Sequence, residues 1–468
     1  MTRAIPLAPG GLPVLGHLRQ LLTDPTGFLT SLPTHGDLVE IRLGNRQTYV
    51  VCSPELIAQV LIHQRRQYDK GGPFYDNLAG FLGDGLATCP NAQHTRLRRL
   101  TQPAFTPQRL PHYCDLINRE VAAVTASWRA GQVLDTHRVL QELAMRIAIS
   151  TMFASWFADG EGSQGTVAQT LDWVDTLVSG AFLRMVAPAA ARLPLPANRR
   201  YGQAQRDLYA KIDETIAAYR RSSTDHGDLL SMLMAAEGGS DALTDREIRE
   251  QVMTLFIAGI DTTAAMIGWT LHYLSLSADL DAAVAAEAHS VCGGATAGYA
   301  DLPHLRTLQS VVTETFRIRP SAWMFSRVSV TETELAGHRV PAGADILISP
   351  YILHHRPDLF PDPEHFDPGR WDGDDRAPAR AERANLLIPF GAGHRKCISR
   401  DFSVMNITLA LVGILKSWRL TPATDRPVAL RGRSIIKPHG LILRLSPRQS
   451  PAPQAICALQ AARLKDTR

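Results

Sequence analysis

One cysteine in the sequence stands in an unusual setting. The segment Ile388–Ser399, IPFGAGHRKCIS, places Cys397 after two glycines and the basic run HRK. Positive neighbours and the start of a helix both favour the thiolate, which is the nucleophilic and metal-binding form of cysteine. Three interpretations are open: a loop that cradles a phosphate, a zinc site made by the histidine and the cysteine, or a loop that presents a thiolate ligand to a larger group.

The first two interpretations lack residues that they need. A dinucleotide-binding loop has the pattern G-x-G-x-x-G, and Lys396 stands at the third glycine position. A structural zinc site needs four ligands in paired spacing, and the chain contains no C-x-x-C. The thiolate-ligand interpretation remains, beside the alternative that Cys397 is a buried structural cysteine.

A second candidate group lies inside a strongly marked helix. Thr244–Glu247, TDRE, is a capping box, and apolar residues follow it at helical spacing. The helix then meets Ala258–Ala264, AGIDTTA, where a glycine costs about 1 kcal/mol and threonine hydroxyls compete for backbone carbonyls. We expect an interruption that opens a groove lined by Asp261 and Thr262, a pair suited to proton delivery. The alternative is a helix that only makes a small-residue contact.

A third group pairs opposite charges. Glu314 and Arg317 stand one turn apart on a predicted helix, Leu305–Arg319, which Pro320 ends. Most such pairs are solvated, but apolar neighbours favour burial here, and a buried pair needs a further partner. Arg370, in FDPGRW, is the candidate.

Together these motifs resemble the haem-thiolate monooxygenases of the cytochrome P-450 superfamily. The resemblance covers about residues 6–448 and is carried by Phe390-x-x-Gly393-x-Arg395-x-Cys397, Glu314-x-x-Arg317 and Ala258-Gly259-x-Asp261-Thr262. It implies a mainly α fold, a triangular helical prism with a small β-rich lobe, and one haem b (iron protoporphyrin IX).

The resemblance also implies roles for single residues. Cys397 would be the proximal iron ligand, in a loop shaped by Phe390 and Gly393. Asp261 and Thr262 would deliver the protons that dioxygen activation consumes. The buried structural network would be Glu314, Arg317 and Arg370, and the haem propionates would be bound by His94, Arg98, Arg327 and Arg395.

Two positions depart from the family pattern. Ser399 stands where the family usually has glycine, so the helix after the cysteine is expected to pack less closely on the haem. His94 stands where tryptophan is common, which keeps a hydrogen-bond donor near the propionates. Neither change removes the ligand.

Composition excludes several classes of protein. The 468 residues are 45% hydrophobic and 20% charged, as in globular proteins, and a net charge of +4 without a basic tract argues against nucleic-acid binding. Six scattered cysteines suit reduced thiols. No apolar run approaches the length of a membrane span, so we expect a cytoplasmic protein.

The chain is expected to form one domain over residues 1–448, followed by a flexible tail, 449–468. Leu38–Val51 predicts a β-hairpin, and residues 54–277 predict helices separated by loops at Gly71–Pro90 and Pro194–Asn198. Strand pairs are predicted at His338–Ser349 and at residues 433–445.

The substrate is predicted from the apolar composition of the segments that line the family's pocket, which suits a hydrocarbon. Several stretches are similar to actinobacterial terpenoid-oxidising members, so we expect oxidation of a sesquiterpene-like terpenoid with O2 in bacterial secondary metabolism. The chain has no flavin or iron–sulfur module, so electrons are expected from ferredoxin, ferredoxin reductase and NAD(P)H, with docking at Lys396 and Arg400. The alternatives are a polyketide or fatty-acid hydroxylase, a haem-thiolate peroxygenase or isomerase, and a non-enzymatic haem sensor.

Overall fold

Helices dominate the protein. The computed structural model describes residues 4–153, 156, 163–186, 191, 193–222, 225–235, 242–372, 377–432 and 435–448. In these ranges the α-helices are α1 (Leu18–Thr23), α2 (Pro25–Ser31), α3 (Pro54–Ala58), α4 (Gly72–Leu82), α5 (Asn91–Thr101), α6 (Leu110–Thr125), α7 (Thr136–Met152), α8 (Ser163–Val186), α9 (Pro196–Ser222), α10 (Leu229–Ala235), α11 (Asp245–Leu276), α12 (Ala278–Cys292), α13 (Arg306–Ile318), α14 (Pro350–His354), α15 (Ala377–Arg383) and α16 (Arg400–Ser417). A π-helical turn spans Gln59–His63, and 3₁₀ helices span Leu32–His35, Gln102–Phe105, Tyr299–His304, Pro368–Trp371 and Gly393–Arg395.

The strands form small sheets. They are β1 (Leu38–Leu43), β2 (Arg46–Val51), β3 (Tyr68–Asp69), β4 (Val133–Asp135), β5 (Phe325–Ser329), β6 (Thr333–Leu335), β7 (His338–Val340), β8 (Asp345–Ile348), β9 (Trp418–Pro422), β10 (Ala429–Gly432), β11 (Ile436–His439) and β12 (Ile442–Pro447). The largest sheet has the order β1-β2-β8-β5-β3, in which only β2 and β8 are parallel. The other sheets are β4-β12-β9, β10-β11 and β6-β7.

Helix α11 is the central core element. Its capping box is present as predicted: the Thr244 hydroxyl accepts from the Glu247 backbone N–H, and the Glu247 carboxylate accepts from the Thr244 N–H. The helix packs against α7 and α16, and most of its residues from Ile248 to Leu274 are buried. Among the described residues it is the one helix long and apolar enough to cross a bilayer, but 78% of its most apolar window is buried inside the protein. That burial is typical of a core helix.

Several predicted elements are confirmed. The hairpin Leu38–Val51 forms β1 and β2 in antiparallel register, with Leu38 opposite Val51. The helix predicted at Leu305–Arg319 is α13. Both C-terminal strands form as β11 and β12, but they do not pair with each other: β11 pairs with β10, whereas β12 pairs with β4 and β9.

The two predicted loops are partly wrong. Gly71–Pro90 contains α4, which the two glycines and one proline of its sequence concealed. Tertiary packing compensates for that poor helix composition, since Tyr75, Phe81 and Leu82 are buried. Helix α9 begins at Pro196, inside the second predicted loop, where a proline suits the first turn of a helix. The predicted tail, 449–468, lies outside the described residues.

Candidate functional site

The cysteine loop is held by a close backbone approach. Gly393 has a φ of +69°, and a Cβ at this position would lie 2.1 Å from the carbonyl oxygen of Leu61. Only glycine meets both conditions. The loop then returns on itself, because the Cys397 N–H donates to the Phe390 carbonyl at 2.9 Å. The half-buried Cys397 is thereby fixed just before α16.

The basic residues of the loop are bound to acids and amides rather than turned toward the sulfur. Arg395 Nη2 donates to Asp69 Oδ1 at 3.0 Å and to Asn91 Oδ1 at 2.9 Å. Lys396 Nζ and Arg400 Nη2 both donate to Glu382, at 2.8 and 2.6 Å. Lys396 and Arg400, where an electron donor is expected to dock, thus already form ion pairs with Glu382 but stay about one-third exposed.

Helix α5 contacts the cysteine loop through two predicted haem-binding residues. Arg98 Nη1 donates to the backbone carbonyl of Lys396 at 2.7 Å. The buried His94 ring lies edge-on to His394, with ring centroids 5.4 Å apart. The start of α5 thus lies beside the residues that precede the cysteine.

Basic side chains converge at this point to an unusual degree. The group, here called the cation cluster, consists of Lys70, His94, Arg98, Arg327, His394 and Arg395. Burial and the charges of Arg327 and Arg395 hold the pKa of Lys70 well below its usual value. Burial and positive neighbours also lower the pKa of His94 to about 3 and that of His394 to about 4. Asp69 is the carboxylate that binds this cluster, through Arg395.

The cation cluster has the composition of an anion site. Because the pKa values of His94 and His394 are this low, the positive charge at neutral pH lies mainly on Arg98, Arg327 and Arg395, and an anion bound beside them would stabilise it. Arg and Lys bind carboxylates strongly, and a haem carries two of them as propionates. The residues present therefore fit the propionate side of a haem whose iron faces Cys397. Lys70 was not predicted, because a single lysine in the sequence has no spacing pattern that marks it.

Helix α11 has one face that its neighbours leave open. Between Glu250 and Leu271 every residue is buried except four, which lie at helical spacing on one face: Leu255, Ala258, Gly259 and Thr262. A Cβ on Gly259 would meet no atom within 4 Å. This stripe, here called the open face, is where α11 leaves room for a bound group.

The predicted interruption of α11 is absent. The helix is continuous from Asp245 to Leu276, and the Thr262 hydroxyl donates to the Ala258 carbonyl at 2.7 Å without breaking it. The open face arises because neighbouring elements do not cover it, and no break in the helix is needed. Asp261 and Thr262 therefore lie on different sides of an intact helix.

Asp261 is buried, and two residues contact its carboxylate. Its Oδ2 lies 2.8 Å from Lys437 Nζ, and its Oδ1 accepts from Gln141 Nε2 at 2.9 Å. The same Gln141 nitrogen donates to Asp175 at 3.3 Å. Burial first, and then the charge of Asp261, raise the pKa of Asp175, while His137 lies near enough for its charge to act on that carboxyl. A chain of polar side chains thus runs from the buried Asp261 through Gln141 to Asp175, which is exposed.

A small cavity joins α11 to the helix after the cysteine. Its volume is about 50 Å³, and its lining includes Leu255 and Gly259 of α11, Ser399, and Phe402 and Asn406 of α16. The cavity therefore brings two residues of the open face, Leu255 and Gly259, near Ser399, which lies two residues after Cys397. A cavity of this size holds one or two waters.

The third predicted group forms a network around a fully buried ion pair. Glu314 and Arg317 have no exposed side-chain surface, and Arg317 binds both carboxylate oxygens, at 2.8 and 2.9 Å. Glu314 also accepts from Arg370 Nε at 3.2 Å, from the Asp367 N–H at 3.1 Å and from Trp371 Nε1 at 3.0 Å. Trp371, next to Arg370 in the sequence, was not predicted. The network ties α13 to the 3₁₀ helix Pro368–Trp371, which leads toward the cysteine loop.

The comparisons with known proteins agree with this geometry. The sequence profile of the family "Cytochrome P450" matches residues 6–443. Cyclooctatin synthase of Streptomyces melanosporofaciens is 42% identical over 89% of this chain and 90% of its own length. Cyclooctat-9-en-7-ol 5-monooxygenase of the same species is 40% identical, over 89% of both chains. Pentalenene oxygenase of Streptomyces avermitilis is 39% identical over 94% of this chain and 97% of its own. A crystal structure of the cytochrome P450DA haem domain shares the fold, with a TM-score of 0.85, 24% identity, and coverage of 95% of this chain and 98% of that one.

Proposed function

Because this chain belongs to the cytochrome P450 family, whose members bind haem b and act as monooxygenases, we propose that it oxidises a terpenoid. The observation that carries the proposal is the similarity, at 39–42% identity over most of each chain, to relatives named for cyclooctatin and pentalenene. The open face of α11 supports it, since Leu255, Ala258 and Gly259 bring no charge to it and suit a hydrocarbon.

In this proposal Cys397 would bind the haem iron through its sulfur. A haem with a thiolate ligand supplies dioxygen activation, because the thiolate donates electron density that favours O–O cleavage. Phe390 and Gly393 shape the ligand loop through the Cys397 N–H bond and the approach to Leu61. The propionates are bound by members of the cation cluster: Lys70, His94, Arg98, Arg327 and Arg395.

Thr262 and Asp261 have separate roles in proton delivery. The Thr262 hydroxyl lies on the open face, where it can turn from the Ala258 carbonyl to a bound group. Asp261 lies behind it, ion-paired with Lys437 and bonded to Gln141. Burial and the charge of Asp261 raise the pKa of Asp175, which favours the protonated form of this carboxyl. Protons would pass along this chain toward the haem side of α11.

The electron donor in this proposal is a ferredoxin, reduced by a ferredoxin reductase with NAD(P)H, and the oxidant is O2. Docking near the cysteine loop would involve Lys396 and Arg400, with Glu382 neutralising part of their charge. A cytoplasmic enzyme would have these partners available.

The test is a binding screen followed by turnover. Haem-loaded protein is titrated with sesquiterpene and diterpene hydrocarbons, fatty acids and polyketide lactones while the haem absorption band is followed. Hydrocarbons that shift the band are then incubated with ferredoxin, reductase, NADPH and labelled O2. We expect one labelled oxygen in a terpenoid product. Band shifts and products only with fatty acids or polyketides would contradict the substrate class, and product formed from peroxide alone would identify a peroxygenase.

A further inference from the structure

Ser399 makes an unusual contact for a residue at its position. It is the N-cap residue of α16, where a serine ordinarily accepts a hydrogen bond from an N–H of the first helical turn. Its side chain makes no such capping bond. Instead the hydroxyl oxygen lies 3.4 Å from Cys397 Sγ. The hydroxyl of Ser399 therefore contacts the sulfur and does not cap the helix.

The direction of this hydrogen bond follows from the state of the sulfur. Either atom can donate when Cys397 is a thiol, but a thiolate has no proton and can only accept. Once the sulfur is a metal ligand it is deprotonated, so the hydroxyl of Ser399 must be the donor. A separation of 3.4 Å is reasonable for a bond to sulfur, which is larger than oxygen.

One other acceptor competes for the same hydroxyl. Ser399 lines the 50 Å³ cavity together with Ser403 and Asn406. Among the described residues the buried Asn406 Oδ1 has no hydrogen-bond partner. A water in this cavity would satisfy Asn406 and could also accept from Ser399. A bond from Ser399 to the sulfur and a bond from Ser399 to a cavity water predict different effects of substitutions in this cavity.

We propose that Ser399 donates a hydrogen bond to the Cys397 sulfur and lowers the electron donation of that sulfur to the iron. Ser399 is thus a positioning and tuning residue that acts through Cys397 and does not touch the substrate. The inference rests on the proposed ligation by Cys397. Hydrogen bonds to a ligating sulfur tune a metal centre, and fewer of them make the reduced state less favourable. The glycine common at this position in the family provides no such donor.

The experiment compares haem-loaded Ser399→Ala, Ser399→Gly and Ser399→Thr with the wild type. Two quantities are measured: the midpoint potential of the ferric–ferrous couple and the iron–sulfur stretching frequency by resonance Raman, in H2O and D2O. We expect Ala and Gly to shift the potential to more negative values and to raise the stretching frequency. Thr keeps the hydroxyl and should restore both values. The iron–sulfur stretching frequency should differ between H2O and D2O less in Ser399→Ala and Ser399→Gly than in the wild type, because the exchangeable hydroxyl proton is gone.

Ser403→Ala is the matched control, because it removes another hydroxyl from the same cavity. It should leave both quantities at the wild-type values. If Ser403→Ala shifts them as much as Ser399→Ala does, the cavity water mediates the effect and the direct bond is overturned. Unchanged values in Ser399→Ala and Ser399→Gly, with the thiolate band of the reduced carbon monoxide complex intact, overturn this inference alone. Absence of that band in the wild type overturns the ligation by Cys397 and, with it, this inference.

Discussion

The Asp261 carboxylate lies 2.8 Å from Lys437 Nζ, while the adjacent Thr262 belongs to the open face of α11. One residue of the pair is thus buried and ion-paired, and the other is accessible to a bound group. This division gives each residue a separate, testable role.

Replacing Thr262 by Ala removes the hydroxyl at the open face and leaves the apolar surface intact. We expect NADPH consumption to continue, while product formation falls by about 10²-fold, the lower end of what a positioned proton donor contributes. Hydrogen peroxide should rise in proportion. Thr262→Ser keeps the hydroxyl and is the control. Equal ratios of product to NADPH in wild type and Thr262→Ala would show that the hydroxyl has no part in proton delivery.

Glu314→Ala tests the buried network. Removal of this carboxylate leaves Arg317 and Arg370 without their acidic partner, and breaking a buried pair costs about 3–5 kcal/mol. We expect a large loss in the free energy of unfolding and little haem-loaded protein. The matched control is Glu332→Ala, whose ion pair with Arg339 is largely exposed and should be worth less than about 1 kcal/mol. Similar denaturation midpoints for the two variants would refute the structural role.

The sequence predicted those parts of the site that lie close together along the chain. The cysteine loop, the α11 motif and the Glu314–Arg317 pair each stand within a dozen residues, so spacing alone identified them. Gly393 is a clear case, because a positive φ and a close approach to Leu61 both require glycine.

The partners that complete each group come from distant segments, and no spacing reveals them. Lys437 approaches Asp261 from β11, and Asp69 and Asn91 bind Arg395 from β3 and α5. Helix α4 was missed for a different reason: its intrinsic helix propensity is low, and burial of Tyr75 and Phe81 supplies the stabilisation. In α4, tertiary packing therefore outweighs the low helix propensity of the sequence.

The buried His355 predicts a loss of stability in acid. Burial lowers its pKa from 6.5 to about 3, so between these pH values the unfolded chain binds a proton that the folded chain does not. The free energy of unfolding therefore falls as pH drops below about 6.5, by about 2 kcal/mol from this residue between pH 6.5 and 5. Denaturation midpoints at the two pH values measure it. His355→Gln should flatten the dependence, whereas Gln at the exposed His304 should not. If the free energy of unfolding of the wild type, His355→Gln and His304→Gln changes equally with pH, His355 is not the cause of the acid sensitivity.

Charge reversal on the loop surface tests docking of an acidic ferredoxin. Arg400→Glu should slow reduction by ferredoxin at low salt, and the difference should shrink above about 0.1 M salt, where charges are screened. Glu382→Gln should have the opposite effect, because it frees Lys396 and Arg400 from their ion pairs. Arg339→Glu, on strand β7, is the control. If neither Arg400→Glu nor Glu382→Gln changes the rate at low salt, the donor docks elsewhere or is not acidic.

The central claim is that Cys397 binds the haem iron as a thiolate. The most direct measurement is the absorption spectrum of the reduced protein with carbon monoxide, for wild type, Cys397→Ala and Cys292→Ala. Cys292 is the control because it is half-buried and free, as Cys397 is. We expect the red-shifted band of a thiolate ligand in wild type and Cys292→Ala, and its loss in Cys397→Ala. Persistence of that band in Cys397→Ala would contradict the account.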